Sequence, residues 1–199
     1  YFKIILNDYY DRYDPRKISK IKRLINFISK YFNFITFKMI KKISVDELEN
    51  NKYIIYYLQK KPEASTDVKG IYYSDHITNI QNIWKILPAN TKLLIKQHPT
   101  CKGDNNYFFY KKIISLNNAH ILEDKINENS LNIKPLATFS INSTESMEMA
   151  ITKIPSFTFV NCFFNELKFS ERINLENLKK LKLNQLITNM KLLNESKHE

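Results

Sequence analysis

Glycine is scarce in this sequence: the 199 residues include only two, Gly70 and Gly103. The GxGxxG fingerprint of dinucleotide-binding proteins and the Walker phosphate loop each need two or more glycines close together, so neither motif is present. A phosphate group would therefore have to be bound by a helix N-terminus and by side chains, which supply hydrogen-bond donors without a glycine loop.

Cysteines and long apolar runs are scarce as well. The two cysteines, Cys101 and Cys162, are too few for a disulfide framework and do not form the CxxC pair that suits zinc. No segment approaches the roughly 18 uncharged apolar residues of a membrane span. We therefore expect a protein of the reducing cytoplasm, soluble or peripheral to a membrane. Because the chain begins at Tyr1 rather than Met, and no signal peptide can be recognised at its start, we also expect residues to be missing upstream.

Acidic residues are absent from residues 15–43, which carry nine Lys or Arg side chains, and the whole chain has a formal net charge of +11. This excess favours an anionic partner. Apolar residues recur in the segment in steps of three and four, which predicts a helix with one apolar side, beginning near Pro15 and either continuous or broken near Asn33. The apolar residues are Ile18, Ile21, Ile25, Ile28, Phe32, Ile35 and Met39.

Two interpretations of this basic helix stay open. In the first, the helix packs against a preceding part of the protein and its lysines face solvent. In the second, it lies on an anionic membrane surface, which requires the same apolar stripe and excess of lysine. Nucleic acid is a less suitable partner, because the aromatic residues lie among the apolar positions and not on a separate stacking face.

From residue 50 onward, short apolar runs alternate with helical patterns. Strands separated by helices predict a doubly wound parallel sheet, since each parallel step needs a crossover. We expect a basic helical segment at 1–49 that links to a missing N-terminal domain, an α/β domain at 50–165 and a C-terminal helical segment at 166–199. The predicted strands are 53–58, 92–96, 119–122, 137–141 and 156–160, and the predicted helices are 74–87, 107–115, 129–134, 144–152 and 175–193, the last as one helix or two.

Polar residues follow three of the predicted strands. Gln59 and then Glu63 follow the first, His98 follows the second, and Ser143 with Thr144 follows the fourth. Ligands of an open parallel sheet gather at the carboxyl ends of the strands, so we expect these side chains at one edge of the sheet. The predicted helix that begins at Thr144 adds a positive dipole end, which favours a phosphate.

Each of these residues also has an interpretation that needs no ligand. His98, which the following Pro99 biases toward an extended conformation, can simply end a strand in a polar loop. Ser143 and Asp75 can cap helices, and Glu63 can be an ordinary surface carboxylate. Neither a Ser, His and Asp arrangement nor metal-ligand spacing can be assembled, so the sequence supports neither nucleophilic hydrolysis nor a bound metal.

Four stretches carry a family pattern in their order and spacing: "YIIYYLQKKPEAST", "YYSDH", "LPANTKLLIKQHP" and "FSINSTESMEMAITKIPSFTF". Together they resemble the C-terminal half of bacterial capsule polysaccharide biosynthesis proteins over roughly residues 50–165. The shared features are a QPE-like element, an HP dipeptide after a strand, and a Ser/Thr pair that opens a later helix. The family is similar to GT-B glycosyltransferases that use CMP-activated sugars such as Kdo, and to bacterial polysialyltransferases.

The resemblance implies roles for individual residues. His98 would contact the CMP phosphate and stabilise it as a leaving group, and Glu63 would be the general base or nucleophile. A CMP-sugar carries a single phosphate, so neither a metal nor another cofactor is expected. The implied substrate-binding residues are Gln59, Asp75, Lys96, His98, Ser143 and Thr144.

The resemblance further implies a reaction and a location. The protein would transfer a sugar of the Kdo or sialic acid type from CMP to a glycan or glycolipid acceptor, at the inner face of the cytoplasmic membrane. One departure from the family pattern, "NSTES" for a glycine-rich turn, bears on the identity of the sugar. Another departure, "QKKPE" for the QPE element, keeps an alternative to an enzyme open. The alternative is a non-catalytic basic α/β module that binds an acidic glycan or a membrane surface.

Overall fold

The computed structural model describes residues 20–44, 46–48, 51–59, 70–98, 101–123 and 134–196. These residues form a seven-stranded sheet flanked by helices. The strands are β1 Lys42–Ile43, β2 Lys52–Leu58, β3 Thr91–Gln97, β4 Ala119–Leu122, β5 Thr138–Ser140, β6 Ser156–Thr158 and β7 Ser170–Arg172. The α-helices are α1 Lys20–Met39, α2 His76–Ile86, α3 Tyr107–Ile114, α4 Thr144–Ile151, α5 Leu175–Lys180 and α6 Leu183–Ser196, with 3-10 helices at Asp46–Leu48, Ile71–Tyr73 and Phe163–Glu166.

The neighbouring strands of the sheet are all parallel and lie in the order β1-β4-β3-β2-β5-β6-β7. Apart from the edge strand β1, this is the order 3-2-1-4-5-6 of a doubly wound nucleotide-binding sheet. The order reverses between β2 and β5, and in such sheets ligands bind in the crevice at the carboxyl side of that point. The predicted α/β fold class is therefore confirmed.

Strand β2 shows why the sheet is covered on both faces. All of its residues after Lys52 are buried. Ile54 and Tyr56 belong to the larger hydrophobic core cluster, whereas Tyr53 and Ile55 belong to a second, smaller cluster. Successive side chains of a strand point to opposite faces, so an uninterrupted apolar run supplies two cores at once.

The predicted central strands all form, with small differences at their ends. The sheet is wider than predicted, because β1 comes from segment 1–49 and β7 from segment 166–199, where the sequence indicated helices alone. The C-terminal helical pattern is two helices, α5 and α6, and not one. The helix predicted at 129–134 lies, except for its last residue, outside the described residues.

Helix α1 differs from expectation in two ways. It runs unbroken through Asn33, so the alternative of a break there is wrong. Its apolar stripe points away from the sheet: Phe32 is 61% exposed and Met39 is 80% exposed, while Phe37 on the opposite side packs against Tyr110 with ring centroids 5.0 Å apart. The predicted start near Pro15 lies outside the described residues. No helix in the described part of the chain is both long and apolar enough to cross a membrane.

Candidate functional site

The carboxyl ends of β2, β3 and β5 meet at the crevice where the strand order reverses, and there they form a cleft of about 140 Å³. The side-chain amide of Gln59, after β2, donates a hydrogen bond to the main-chain oxygen of Asn142, after β5. This bond joins the two strands across the crevice. The cleft is lined by Leu58, Gln59, His98, Asn142, Ser143, Thr144 and Glu145, so four of the predicted substrate-binding residues lie together.

The N-terminus of α4 forms one wall of this cleft. The buried Ser146 hydroxyl donates to the Ser140 hydroxyl at 2.8 Å, which anchors the helix to the end of β5. Ser143 occupies the N-cap position, but its hydroxyl donates to the Glu145 carboxylate and accepts no hydrogen bond from a helix N–H. The first N–H groups of α4 and its positive dipole end therefore border the cleft without a side-chain cap from Ser143, an arrangement that suits an anion.

His98 is half-buried and follows β3 directly. The residue before it, Gln97, is buried; its amide donates to the main-chain oxygen of Cys101 at 2.5 Å, and its side-chain oxygen accepts from the Tyr110 hydroxyl. The N–H of Cys101 also donates to the His98 carbonyl at 3.0 Å. These bonds fix the backbone that presents the imidazole to the cleft. Pro99 lies outside the described residues, so its effect on His98 stays a prediction.

A smaller recess of about 40 Å³ lies beside the cleft. Leu58 and Gln59 line both spaces, so the side chain of Gln59 lies at the boundary between them. The further lining residues of the recess are His76, Gln97, Cys101, Asp104 and Asn105.

His76, in the wall of the recess, is held by a buried hydrogen-bond network. Its Nδ1 lies 2.7 Å from the Tyr56 hydroxyl, and the amide nitrogen of Asn79 donates to the Tyr73 carbonyl at 2.7 Å and to the Tyr56 hydroxyl at 3.4 Å. Burial raises the pKa of Tyr56, so this hydroxyl keeps its proton. The Tyr56 hydroxyl can donate this proton to Nδ1, and a neutral His76 in that arrangement carries its own proton on Nε2.

Three predicted residues are not part of the cleft wall. Lys96 is half-buried within β3, two residues before His98. Asp75 is exposed and caps α2, and it lines neither the cleft nor the recess. Glu63, the predicted base, lies outside the described residues. The roles of these three residues stay predictions.

The structure adds residues that the sequence did not single out as site residues. Glu145 places a carboxylate in the cleft, where it can accept a hydrogen bond from a ribose or sugar hydroxyl. Acidic residues are common in the first turn of a helix, because they interact favourably with the helix dipole. The sequence alone therefore did not indicate that Glu145 also lines a site. His76 could be recognised in the sequence only as a candidate cap, because nothing local indicates its partner Tyr56, twenty residues earlier.

Asp75→Ala is expected to lower the free energy of unfolding by about 1 kcal/mol, as the loss of a helix cap does. The carboxylate accepts from the Thr78 hydroxyl at 2.6 Å and from the Ile77 N–H at 3.0 Å. The pKa of Asp75 lies below its ordinary value, and the largest cause is the hydrogen bond from the Thr78 hydroxyl. The stabilisation that Asp75 provides relative to alanine is therefore fully present above the pKa of an unfolded aspartate, about 3.9. It is lost as the pH falls through the lower pKa of Asp75 in the folded state.

Urea unfolding of Asp75→Ala at neutral and at acidic pH measures this effect. Asp75→Asn is the control, since its amide oxygen can still cap the helix and should retain most of the stability at neutral pH. Equal stability of wild type and Asp75→Ala at neutral pH would contradict the capping role.

A larger cleft, of about 560 Å³, opens at the amino ends of β1 and β4 and is lined in part by Lys41, Glu47 and His120. Its size does not make it the better phosphate site, because the C-terminal end of α3, with its negative partial charge, borders it. Burial, followed by the charge of Lys92, lowers the pKa of His120, which therefore favours the neutral form. Within the described residues, no group of three or more His, Cys, Asp or Glu is placed to hold a metal ion.

Comparison with known proteins adds one family and two structures. Residues 3–185 match the family described as capsule polysaccharide biosynthesis protein. The chain is similar to KpsC, beta Kdo 2,7 transferase, from Thermosulfurimonas dismutans, with 16% identity, a TM-score of 0.47 and coverage of 88% of this chain and 54% of that one. It is also similar to a putative UDP-N-acetylglucosamine 2-epimerase from Listeria monocytogenes, with 16% identity, a TM-score of 0.47 and coverage of 74% and 39%. No curated protein matches the chain. The chain thus spans about half the length of the first of these two structures.

Proposed function

Because the chain belongs to the family of capsule polysaccharide biosynthesis proteins, we propose that it is part of a glycosyltransferase that binds a CMP-activated sugar of the Kdo or sialic acid type. The sugar would pass to a glycan or glycolipid acceptor. Catalysis would take place in the cytoplasm, at the inner face of the cytoplasmic membrane. The acceptor would be bound mainly by parts of the protein that the described residues do not include.

The observation that carries this proposal is the cleft at the point where the strand order reverses. It brings the imidazole of His98, the amide of Gln59 and the N-terminus of α4 to one place. All three can donate hydrogen bonds to a phosphate, and none of them needs a glycine loop. The cleft of about 140 Å³ is smaller than a typical pocket of about 300–1,000 Å³ for a whole ligand, so it fits the phosphate end of a nucleotide better than the complete donor.

The proposed chemistry is cleavage of the bond between the anomeric carbon and the phosphate oxygen of the donor. The bonding electrons go to the phosphate as CMP leaves, and His98, Lys96 and the dipole of α4 stabilise that charge. The acceptor hydroxyl forms the new bond to the anomeric carbon and loses its proton to a base, for which Glu63 is the proposed residue. Glu145, which also lines the cleft, would orient a donor hydroxyl beside the phosphate.

Wild-type protein is expected to be stabilised against heat by CMP more than by UMP or ADP, and EDTA is expected to leave this stabilisation unchanged. A single phosphate can be neutralised by hydrogen-bond donors and a helix dipole, so no divalent ion is required. Thermal unfolding with each nucleotide, with and without EDTA, measures both effects. The absence of any response to CMP would contradict the proposed donor, and a response abolished by EDTA would contradict metal independence.

A second candidate function is that of a non-catalytic module that binds an acidic glycan or a membrane surface through residues 15–43. The observation in its favour is α1, which carries five Lys or Arg residues, no acidic residue and an outward apolar side. Thermal unfolding with CMP, UMP and ADP also separates the two functions, because a module without a donor site would not be stabilised by any nucleotide.

A further inference from the structure

Helix α1 presents its apolar side away from the domain to which it belongs. At 100° per residue, positions 21, 25, 28, 32, 35 and 39 lie on one side of the helix, and positions 30, 33 and 37 lie on the opposite side. The second set meets the domain, since Phe37 is buried and Asn33 is half-buried. The first set is exposed: Ile21 72%, Ile25 58%, Ile28 45%, Phe32 61%, Ile35 38% and Met39 80%.

The charges of α1 indicate what this apolar side contacts. The helix has five cationic residues and no anionic one, and Lys41 and Lys42 follow directly after it. The aromatic residue Phe32 lies on this apolar side and Tyr31 lies at its edge, 61% and 58% exposed. An apolar face with aromatic residues, accompanied only by Lys and Arg, is complementary to the apolar interior and anionic headgroups of a bilayer. Protein interfaces, by contrast, enrich Arg and aromatic residues but deplete Lys.

The inner side of α1 is joined to the loop that follows His98. Lys30 forms an ion pair with Asp104, with Nζ and Oδ1 2.8 Å apart, and the Asn33 amide donates to the Gly103 carbonyl at 3.1 Å. Asp104 also lines the recess beside the cleft. The helix is therefore attached to the carboxyl edge of the sheet, and its outward side faces away from that attachment.

We propose that α1 docks the protein on an anionic lipid bilayer, with the apolar side of residues 21–39 inserted at the interface and the flanking cations on lipid phosphates. The docked helix keeps the 101–105 loop, and with it the carboxyl edge of the sheet, close to the membrane. The functional role of this closeness rests on the proposed function, because it brings the donor site near a lipid-linked acceptor. The docking itself does not depend on nucleotide binding.

Vesicle sedimentation of the purified full chain tests the docking. We expect retention by vesicles of phosphatidylcholine mixed with phosphatidylglycerol, little retention by phosphatidylcholine alone, and weaker retention at high salt. Ile28→Ser/Phe32→Ser should reduce retention about tenfold or more, because it removes two inserted side chains. Ile71→Ser/Phe163→Ser, which changes exposed apolar residues outside α1, should leave retention unchanged.

Lys38→Glu/Lys41→Glu provides an independent test of charge, because both side chains are exposed and the helix keeps its apolar side. It should reduce retention by the anionic vesicles. The proposal is overturned if the anionic vesicles do not retain wild type, or if they retain either α1 variant to the same extent as wild type. It is also overturned if both vesicle types retain wild type equally. It is also overturned if lipid-free protein is a dimer that Ile28→Ser/Phe32→Ser converts to a monomer, since a second copy then covers the face.

The CMP response, measured on the same samples, separates this proposal from the proposed function. Wild type that responds to CMP but is not retained by vesicles would refute the docking alone. Wild type that is retained but does not respond to CMP would refute the donor site alone. An α1 variant that still responds to CMP is folded, so its loss of retention can be assigned to the surface.

Discussion

His98→Ala is expected to remove about half or more of the stabilisation that CMP gives to the protein. At a CMP concentration about 100 times the dissociation constant, wild type should gain about 2.7 kcal/mol in free energy of unfolding. Hydrogen bonds to charged groups contribute about 1.5–3 kcal/mol, so loss of the imidazole should weaken binding about 10- to 100-fold. At the hundredfold limit, the same CMP concentration stabilises the variant by only about 0.4 kcal/mol. Thermal unfolding with and without CMP measures the difference.

The matched control for this prediction is His120→Gln. His120 lies in β4 and lines the larger cleft at the amino ends of the strands, away from the carboxyl edge where His98 lies. Its replacement should leave the CMP response intact. An unchanged response in His98→Ala, or an equal loss in both variants, would mean that CMP does not use the His98 cleft.

Gly103→Ala is expected to lower the free energy of unfolding by about 3 kcal/mol. Gly103 has φ of +92°, a backbone conformation that L side chains rarely adopt, and forcing alanine there costs about 1–2 kcal/mol. A Cβ atom at this position would lie 2.4 Å from the main-chain oxygen of Lys30, a contact that requires α1 or the loop to move. Such overpacking adds about 1–3 kcal/mol. Denaturant unfolding of wild type and Gly103→Ala measures the sum of the backbone cost and the overpacking cost.

Lys30→Ala separates the backbone clash at Gly103 from the neighbouring ion pair. It removes the Lys30 side chain and its contact with Asp104, but it leaves the main-chain oxygen in place. An ion pair with one largely exposed partner contributes about 0–1 kcal/mol, so this variant should be only slightly destabilised. A loss in Gly103→Ala no greater than that in Lys30→Ala would show that α1 and the loop are not closely packed.

The central strands and the edge that carries the cleft could be read from the sequence because their signals are local. The run "YIIYYL" is buried as β2, and the polar residues that end β2, β3 and β5 fall at carboxyl ends, where parallel sheets bind ligands. These positions along the chain alone therefore predict Gln59, His98 and Ser143 at one edge of the sheet. Edge strands β1 and β7 were not predicted, since two or three residues are too few to show a period.

Scarcity of glycine, excess of lysine and the order of apolar runs determined the class of this protein: an α/β sheet, without a glycine phosphate loop, with a basic amphipathic helix before it. These properties depend on residue type and spacing along one chain, which is why they could be recognised directly. Tertiary structure decided the rest. The hydrogen bond from Gln59 to Asn142, the network of His76 with Tyr56, and the outward direction of the α1 stripe all depend on contacts between distant segments, and no local pattern encodes such contacts.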